Sequence, residues 1–242
     1  MSIIKLGNDP ISFVYQGNEL LYPNPVKDGL LLWYDFKGIK NDMNKDVAID
    51  LSGNENNGTL QNFAYTSDSG YDDGLKFDNI DDRLVTNTNI ESNSFTLSMT
   101  IDIKNQKDIN FLFGGNISAF YMRKNYNDLH ASIFTDKQVT SSSGNKFFYN
   151  LFNEGKSKCQ VILKVDDDNK TLSILGNGIL LDERIFEGII NKWRVTSLGA
   201  WSSSSNNDNL NGKLLSSHLY NRALSLEEIK HNFELEKERW NL

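Results

Sequence analysis

FTLSMTIDI, residues 95–103, places Phe95, Leu97, Met99, Ile101 and Ile103 on one face and Thr96, Ser98, Thr100 and Asp102 on the other. A period of two is the pattern of a strand with one apolar face and one polar face. The same alternation carries Val161, Leu163 and Val165 in CQVILKV (159–165), after which DDDNK (166–170) returns the chain into Thr171-Leu172-Ser173-Ile174 as a hairpin. Working outward, strand-like runs recur at GLLLWYDF (29–36), GLKFD (74–78), NFLFGG (110–115), AFYMR (119–123), LHASIF (129–134), TLSIL (171–175), WRVTSLGAW (193–201) and KLLSSHLY (213–220). Short strands separated by Asn, Gly, Asp and Ser loops predict two packed antiparallel sheets.

One helix interrupts this pattern. Ser225-Leu226-Glu227-Glu228 is a capping box, in which Ser225 accepts from the Glu228 amide and the Glu228 carboxylate reaches back. Leu226, Ile229, Phe233 and Trp240 form its apolar stripe, interrupted by Glu236, so it is expected to pack on the sandwich or on a neighbouring subunit. At the other end, IIKLGNDPISFVYQGNELLY (3–22) reads as two strand pieces around Gly-Asn turns, closed by Pro-Asn-Pro at 23–25. Residues 1–25 are therefore read as a hairpin attachment module with a stiff linker, and 26–242 as the main domain.

The 242 residues, 25 basic against 32 acidic and 38% hydrophobic, are enough for a full core and rule out a disordered chain. No run approaches the roughly 20 apolar residues of a membrane helix, so membrane insertion is not expected. MSIIKLGND has no apolar region for a secretory signal, and synthesis in a cytoplasm is expected. A net charge of −7 disfavours nucleic acid as a partner. The single Cys159 excludes an internal disulfide and a multi-thiolate metal site, and its apolar strand context predicts a buried thiol.

GLLLWYDF (29–36), DLSGNENNGTL (50–60), GLKFDNIDDRLVTN (74–87) and LYNRALSLEEIKHNF (219–233), in this order, resemble concanavalin A-like jelly rolls of the laminin G-like type, over about residues 29–235. The leader KLGNDPISFVYQGNELLYP is similar to the short hairpin that opens many bacteriophage tail and baseplate proteins. The resemblance implies an all-β antiparallel sandwich with a small N-terminal hairpin and a short C-terminal helix, in a virion tail, baseplate or fibre component. Its implied partners are other tail proteins, host surface carbohydrate and further copies of the chain. A trimer is one option, although no heptads specify it.

Two sets of residues are candidates for function. Asp50, Asn54, Asp81 and Asp82 lie in oxygen-rich turns of the kind that Ca²⁺ selects, and related sandwiches hold calcium near such loops; plain turn chemistry is the competing reading. Trp201, Tyr126, Asn125, Asn127 and Asp208 supply the aromatic face and the amide and carboxylate groups that sugar recognition combines. Aromatics within strands, Trp33, Tyr34, Phe113 and Trp193, are expected in the core.

Catalysis needs its own site whatever the fold. A retaining glycosidase places two carboxyls about 5–5.5 Å apart. The nearest strand acid, Asp102, has Thr100 and Lys104 as same-face neighbours, and His130, His218 and His231 join no nucleophile or metal motif. A non-catalytic saccharide-binding tail component is the first reading, a purely structural adaptor the second, and a diverged hydrolase the third.

Overall fold

The computed structural model describes residues 5–6, 9–10, 13–16, 19–41, 45–103, 109–115, 120–190, 193–201 and 209–242. Two short antiparallel pairs come first, β1 (Lys5–Leu6) with β2 (Asp9–Pro10) and β3 (Val14–Gln16) with β4 (Glu19–Tyr22). The chain then runs through β5 (Leu30–Asp35), β6 (Val47–Ala48), β7 (Gly58–Gln61), β8 (Gly70–Tyr71), β9 (Leu75–Asp78), β10 (Arg83–Ile90), β11 (Phe95–Ile103) and β12 (Ile109–Gly115). It continues as β13 (Phe120–Asn125), β14 (Asp128–Phe134), β15 (Val139–Gly144), helix α1 (Phe147–Asn153), β16 (Lys158–Asp166), β17 (Thr171–Gly176) and β18 (Ile179–Ile185). β19 (Trp193–Leu198), β20 (Asn211–Tyr220) and helix α2 (Leu226–Trp240) complete it.

These strands form the jelly-roll sandwich of two antiparallel sheets. The front sheet has the order β15-β14-β13-β12-β19-β10-β7-β6, and the back sheet β18-β17-β16-β11-β20-β9-β8, with β5 also pairing β20. FTLSMTIDI is β11, hydrogen-bonded on one side to β16 from Phe95↔Val165 to Asp102↔Lys158 and on the other to β20. Its apolar face meets the front sheet, and Leu97, Met99, Ile101, Val161, Leu163 and Leu219 share one core with Phe113, Met122, Ala131, Ile133 and Val195. Cys159 is buried in that core, where loss of hydration pushes its thiol far above the ordinary range and leaves it unreactive.

The polar face of β11 does not meet water. Thr96, Ser98 and Thr100 are buried because α2 lies over the outer face of the back sheet. Leu30, Trp33, Ile162, Leu175, Tyr220, Leu224 and Ile229 make a second apolar cluster there. Beside it sits a polar layer. The Arg239 guanidinium donates to Asp35 at 2.5 and 3.0 Å, Thr100 donates to Glu236 at 2.6 Å, Ser216 donates to the same Glu236 oxygen, and Asn232 donates to the Tyr220 hydroxyl at 2.9 Å. The capping box is present, with Ser225 accepting from the Glu228 amide.

The expected stripe of α2 is shifted by this layer. Leu226 is 54% exposed, whereas Ile229, Asn232, Leu235, Glu236, Arg239 and Trp240 are buried. Polar partners on the outer face of the sheet select polar residues on the helix, a rule that apolar periodicity cannot express. Burial raises the pKa of both Asp35 and Glu236, with Arg239 pulling each back down. His218 lies stacked between Trp33 (centroids 5.6 Å apart) and Tyr220 (6.5 Å), and burial lowers its pKa to about 4. His231 is exposed, with Nε2 3.1 Å from the Asn24 carbonyl.

Removing one member of a buried ion pair leaves a desolvated charge and costs about 3–5 kcal/mol, whereas replacing both by apolar groups costs far less. Arg239→Ala is therefore expected to lower the urea midpoint strongly, and Asp35→Leu combined with Arg239→Met to recover most of the loss.

Candidate functional site

With α2 on the back sheet, the outer face of the front sheet is the face left for a ligand. Helix α1 does not cover it, since the buried Phe148 and Leu151 of α1 enter the inter-sheet core. Alternation on β13 sends Phe120 and Met122 inward and Tyr121, Arg123 and Asn125 outward, and on β14 it sends His130 and Phe134 outward. The register sets Phe111, Arg123 and His130 in one cross-strand row and Gly114, Tyr121 and Ser132 in another.

A bulge between Phe111 and Phe113 builds the aromatic part of this face. It turns both Leu112 and Phe113 toward the core and leaves Phe111 outside, and the freed Leu112 carbonyl accepts from the Gly199 amide at 2.8 Å. The segment after β19 is thereby drawn over β12. Gly199 has φ +77°, which favours glycine, and makes the turn. Gly114 provides clearance, because a Cβ there would sit 1.8 Å from the Trp201 carbonyl oxygen.

Trp201 consequently lies flat on Phe111, with ring centroids 5.3 Å apart and planes 12° from parallel, and stays 45% exposed. Tyr121 meets the Phe111 ring edge-on at 5.7 Å and lies 5.9 Å from the His130 ring and 6.3 Å from that of Phe134. The Arg123 guanidinium carbon is 5.8 Å from the Phe111 centroid and 5.5 Å from that of Tyr121. Ser132 donates to the Tyr121 hydroxyl at 3.1 Å and shares a 2.7 Å hydrogen bond with Ser141. Burial, and after it the charge of Arg123, holds His130 below its ordinary pKa, while Asp128 acts in the opposite sense.

Of the expected ligand residues, the fold brings Trp201 and Asn125 to this one face. Tyr126, 55% exposed at φ +55°, and Asn127 form the β13–β14 turn beyond the row of Phe111 and Arg123. The Asn127 carbonyl accepts from the amides of Phe148 and Tyr149 and so holds the start of α1. Asp208 lies outside the described residues. Phe111, Tyr121 and Arg123 were not singled out from the sequence, and His130 was weighed there only for a nucleophile or metal motif. The outward phase of AFYMRKN against LHASIF was the signal that could have found them, once their hairpin register was set.

The acidic turns separate into two places. Asp50 accepts from the amides of Trp33, Ser52 and Asn56 at 2.9 Å each and from the Ser52 hydroxyl at 2.7 Å. Asn54 donates to the carbonyls of Leu30 (2.9 Å) and Leu31 (3.1 Å). Both residues pin loop 50–57 to β5, and Asp50 does not join the group that could hold an ion. That group is Asp78, Asp81 and Asp82, whose carboxylate oxygens lie within 4.8 Å of one another.

Asp82 is fully buried; one oxygen accepts from the Asp78 amide at 2.9 Å and the other, Oδ1, has no partner. Burial raises its pKa to about 6, partly offset by hydrogen bonds from Ser69 and the Asp78 amide. Asn110 and Asn209 flank the turn, both fully buried and each with its Oδ1 unpartnered. Asn209 Nδ2 donates to the Asp82 carbonyl at 3.3 Å, and Asn110 Nδ2 to the Asn209 carbonyl at 2.9 Å. Three carboxylates beside the unpartnered Oδ1 atoms of Asp82, Asn110 and Asn209 offer the kind of oxygen donors that Ca²⁺ takes.

No protein-family model and no curated protein sequence matches the chain. Solved structures do. The Trypanosoma rangeli sialidase in complex with sialic acid superposes with a TM-score of 0.62 at 16% identity, over 87% of this chain and 33% of the sialidase. The binding domain of botulinum neurotoxin serotype D gives 0.62 at 15%, over 87% of this chain and 53% of that one. The receptor-binding domain of the mosaic serotype C/D neurotoxin gives 0.64 at 14%, over 86% and 51%. The chain thus spans between a third and about half of the length of these neighbours, and what it shares with them is the jelly-roll fold.

Proposed function

We propose that the chain is a non-catalytic, lectin-like module that binds host-surface saccharide on the outer face of the front sheet, carried on a phage tail, baseplate or fibre. The observation that carries the reading is Trp201, held flat on Phe111 by the Leu112 bulge and the missing side chain of Gly114, and still 45% exposed. An exposed, rigid aromatic plane edged by hydroxyl and amide groups suits the apolar face and equatorial hydroxyls of a pyranose. The likeness of residues 1–25 to tail-protein leaders supports attachment through that segment. Structural neighbours that include a neurotoxin receptor-binding domain and a sialidase in complex with sialic acid agree with a binding role.

Two features support binding without catalysis. Asp102 pairs across the sheet with Lys158 and Lys213, not with a second acid. Asp35 and Glu236, which do influence each other, are sealed beneath α2 with Arg239. The adaptor reading draws on the edge strand β18, where Ile179 and Ile185 are 66% and 77% exposed and could seat a further copy. A glycan array separates the two, since an adaptor gives no saturable binding to sugar.

Asp78, Asp81 and Asp82 are proposed to hold a structural Ca²⁺, with the buried amides of Asn110 and Asn209 beside them. The ion would supply the charge that Asp82 lacks and fix the turn between β9 and β10.

In a glycan-array and calorimetric screen, saturable binding by the wild-type chain is expected to weaken about tenfold or more in Trp201→Ala, which corresponds to about 1.4 kcal/mol. Gly114→Ala, which displaces the Trp201 backbone, should weaken it similarly at an unchanged fold. No saturable binding to any wall or surface saccharide would overturn the reading.

For the acidic turn, the raised pKa of Asp82 means that its ionisation destabilises the metal-free fold as pH rises from about 4 through 6. Asp82→Asn is therefore expected to melt progressively higher than the metal-free wild type as pH rises from 4 to 7. Millimolar Ca²⁺ should raise the wild-type Tm at pH 7, do little at pH 4.5, and leave Asp82→Asn unmoved.

A further inference from the structure

We infer that the front-sheet platform selects an anionic sugar, with the carboxylate or phosphate of the ligand seated on Arg123; the inference rests on the saccharide-binding reading above. In a chain of net charge −7, the other arginines whose contacts are described find acids: Arg184 pairs with Asp182, Arg222 with Asp28 and Glu228, and Arg239 with Asp35. Arg123 does not. Among the described residues no carboxylate forms an ion pair with it; its contacts are the faces of Phe111 and Tyr121, and its buried Nε has no partner.

A guanidinium resting on two rings is positioned, partly desolvated and, among the described residues, short of an anion, and its planar fork matches a carboxylate or phosphate two bonds at a time. Its uncompensated charge is felt nearby, since it helps to keep His130 neutral. That leaves an imidazole on the adjacent strand, directly across from Arg123 in register, able to hydrogen-bond a sugar hydroxyl. Arg123 and Trp201 both lie against the Phe111 ring, so a pyranose on Trp201 and an acid group on Arg123 would share one platform.

A neutral sugar could use Trp201 but would leave the Arg123 charge unmatched. A ligand with an acid group uses both, and the discrimination falls on that group alone. Because Arg123 points outward from β13, its substitution should not disturb the core.

The test is calorimetry with the full chain on a panel of oligouronic acids of differing linkage, the same oligomers as methyl esters, and phosphate-bearing glycans. Wild type is expected to bind at least one acidic member about tenfold or more tightly than its neutral counterpart, with affinity falling as salt is raised from 50 to 500 mM. Arg123→Gln should abolish that preference at an unchanged Tm, Arg123→Lys should restore part of it, and Trp201→Ala should weaken acidic and neutral forms alike. A carboxylate ligand is identified if only the uronic acids gain, a phosphate ligand if only the phosphate-bearing glycans do. Equal binding of acid and ester, both weakened by Trp201→Ala, overturns the anionic preference and leaves the saccharide reading standing. Binding of no member of the panel overturns the anionic preference, and the glycan array then decides the saccharide reading.

Discussion

The constraint on which the architecture depends is the sealing of the back sheet by α2. A two-layer sandwich has two outer faces, and each is either wet, covered or used. Here the covering is partly ionic: Glu236 and Arg239 come down onto Thr100, Ser216 and Asp35 in a layer that excludes water. Buried charges of this kind add little net stability compared with apolar replacements, but they allow few alternative placements of the helix. The position of α2 determines which sheet is left to meet a ligand, and the chemistry of the molecule follows from that allocation.

The acidic turn and the aromatic platform lie at the two ends of one loop. Trp201 opens the 201–209 segment and Asn209 closes it, while Leu210 donates to the Gly199 carbonyl at 2.8 Å to clamp the stems together. Asn209 is held by the Asp82 carbonyl and by Asn110, and Asn110 directly precedes Phe111, the floor of the platform. Anything that fixes the turn at 78–82 therefore fixes both the floor and the far stem of the loop that carries the tryptophan.

Much of the fold was legible because the strands that build the core announce themselves by alternation. FTLSMTIDI, CQVILKV and LHASIF each put their apolar phase inward. VTSSSG (139–144) did not, because its inward residues are Thr140 and Ser142, at the margin where β15 meets the edge of the other sheet and Asp182 accepts from Ser142 and Ser143. The short helix FFYNLFN (147–153) has no side-chain cap to mark its start, since Lys146 makes no side-chain cap bond and backbone groups hold the turn. The site was legible only in part. Trp201 stood out as an aromatic beside a polar loop, and DNIDD as a dense run of acids. Arg123 and His130 became neighbours only through the β13–β14 register, and Asp50 was spent on backbone amides, an outcome that composition alone does not separate from ion binding.

A platform of this size also sets the scale of what it can do alone. One exposed indole, one guanidinium and a few hydroxyl and amide groups give a small contact area, and a single sugar on an open sheet face buries much less of its surface than a ligand enclosed in a pocket. Modest affinity at each site follows. Such affinity is useful when several copies face a surface that repeats the same saccharide, because later contacts then form at high effective concentration and avidity exceeds each site's own affinity without new contacts. Repetition would also tolerate fast release at any one site. An open, shallow face is therefore the form expected of a module that works in multiple copies, just as an enclosed cleft with paired acids is the form expected of one that must hold a substrate through a reaction.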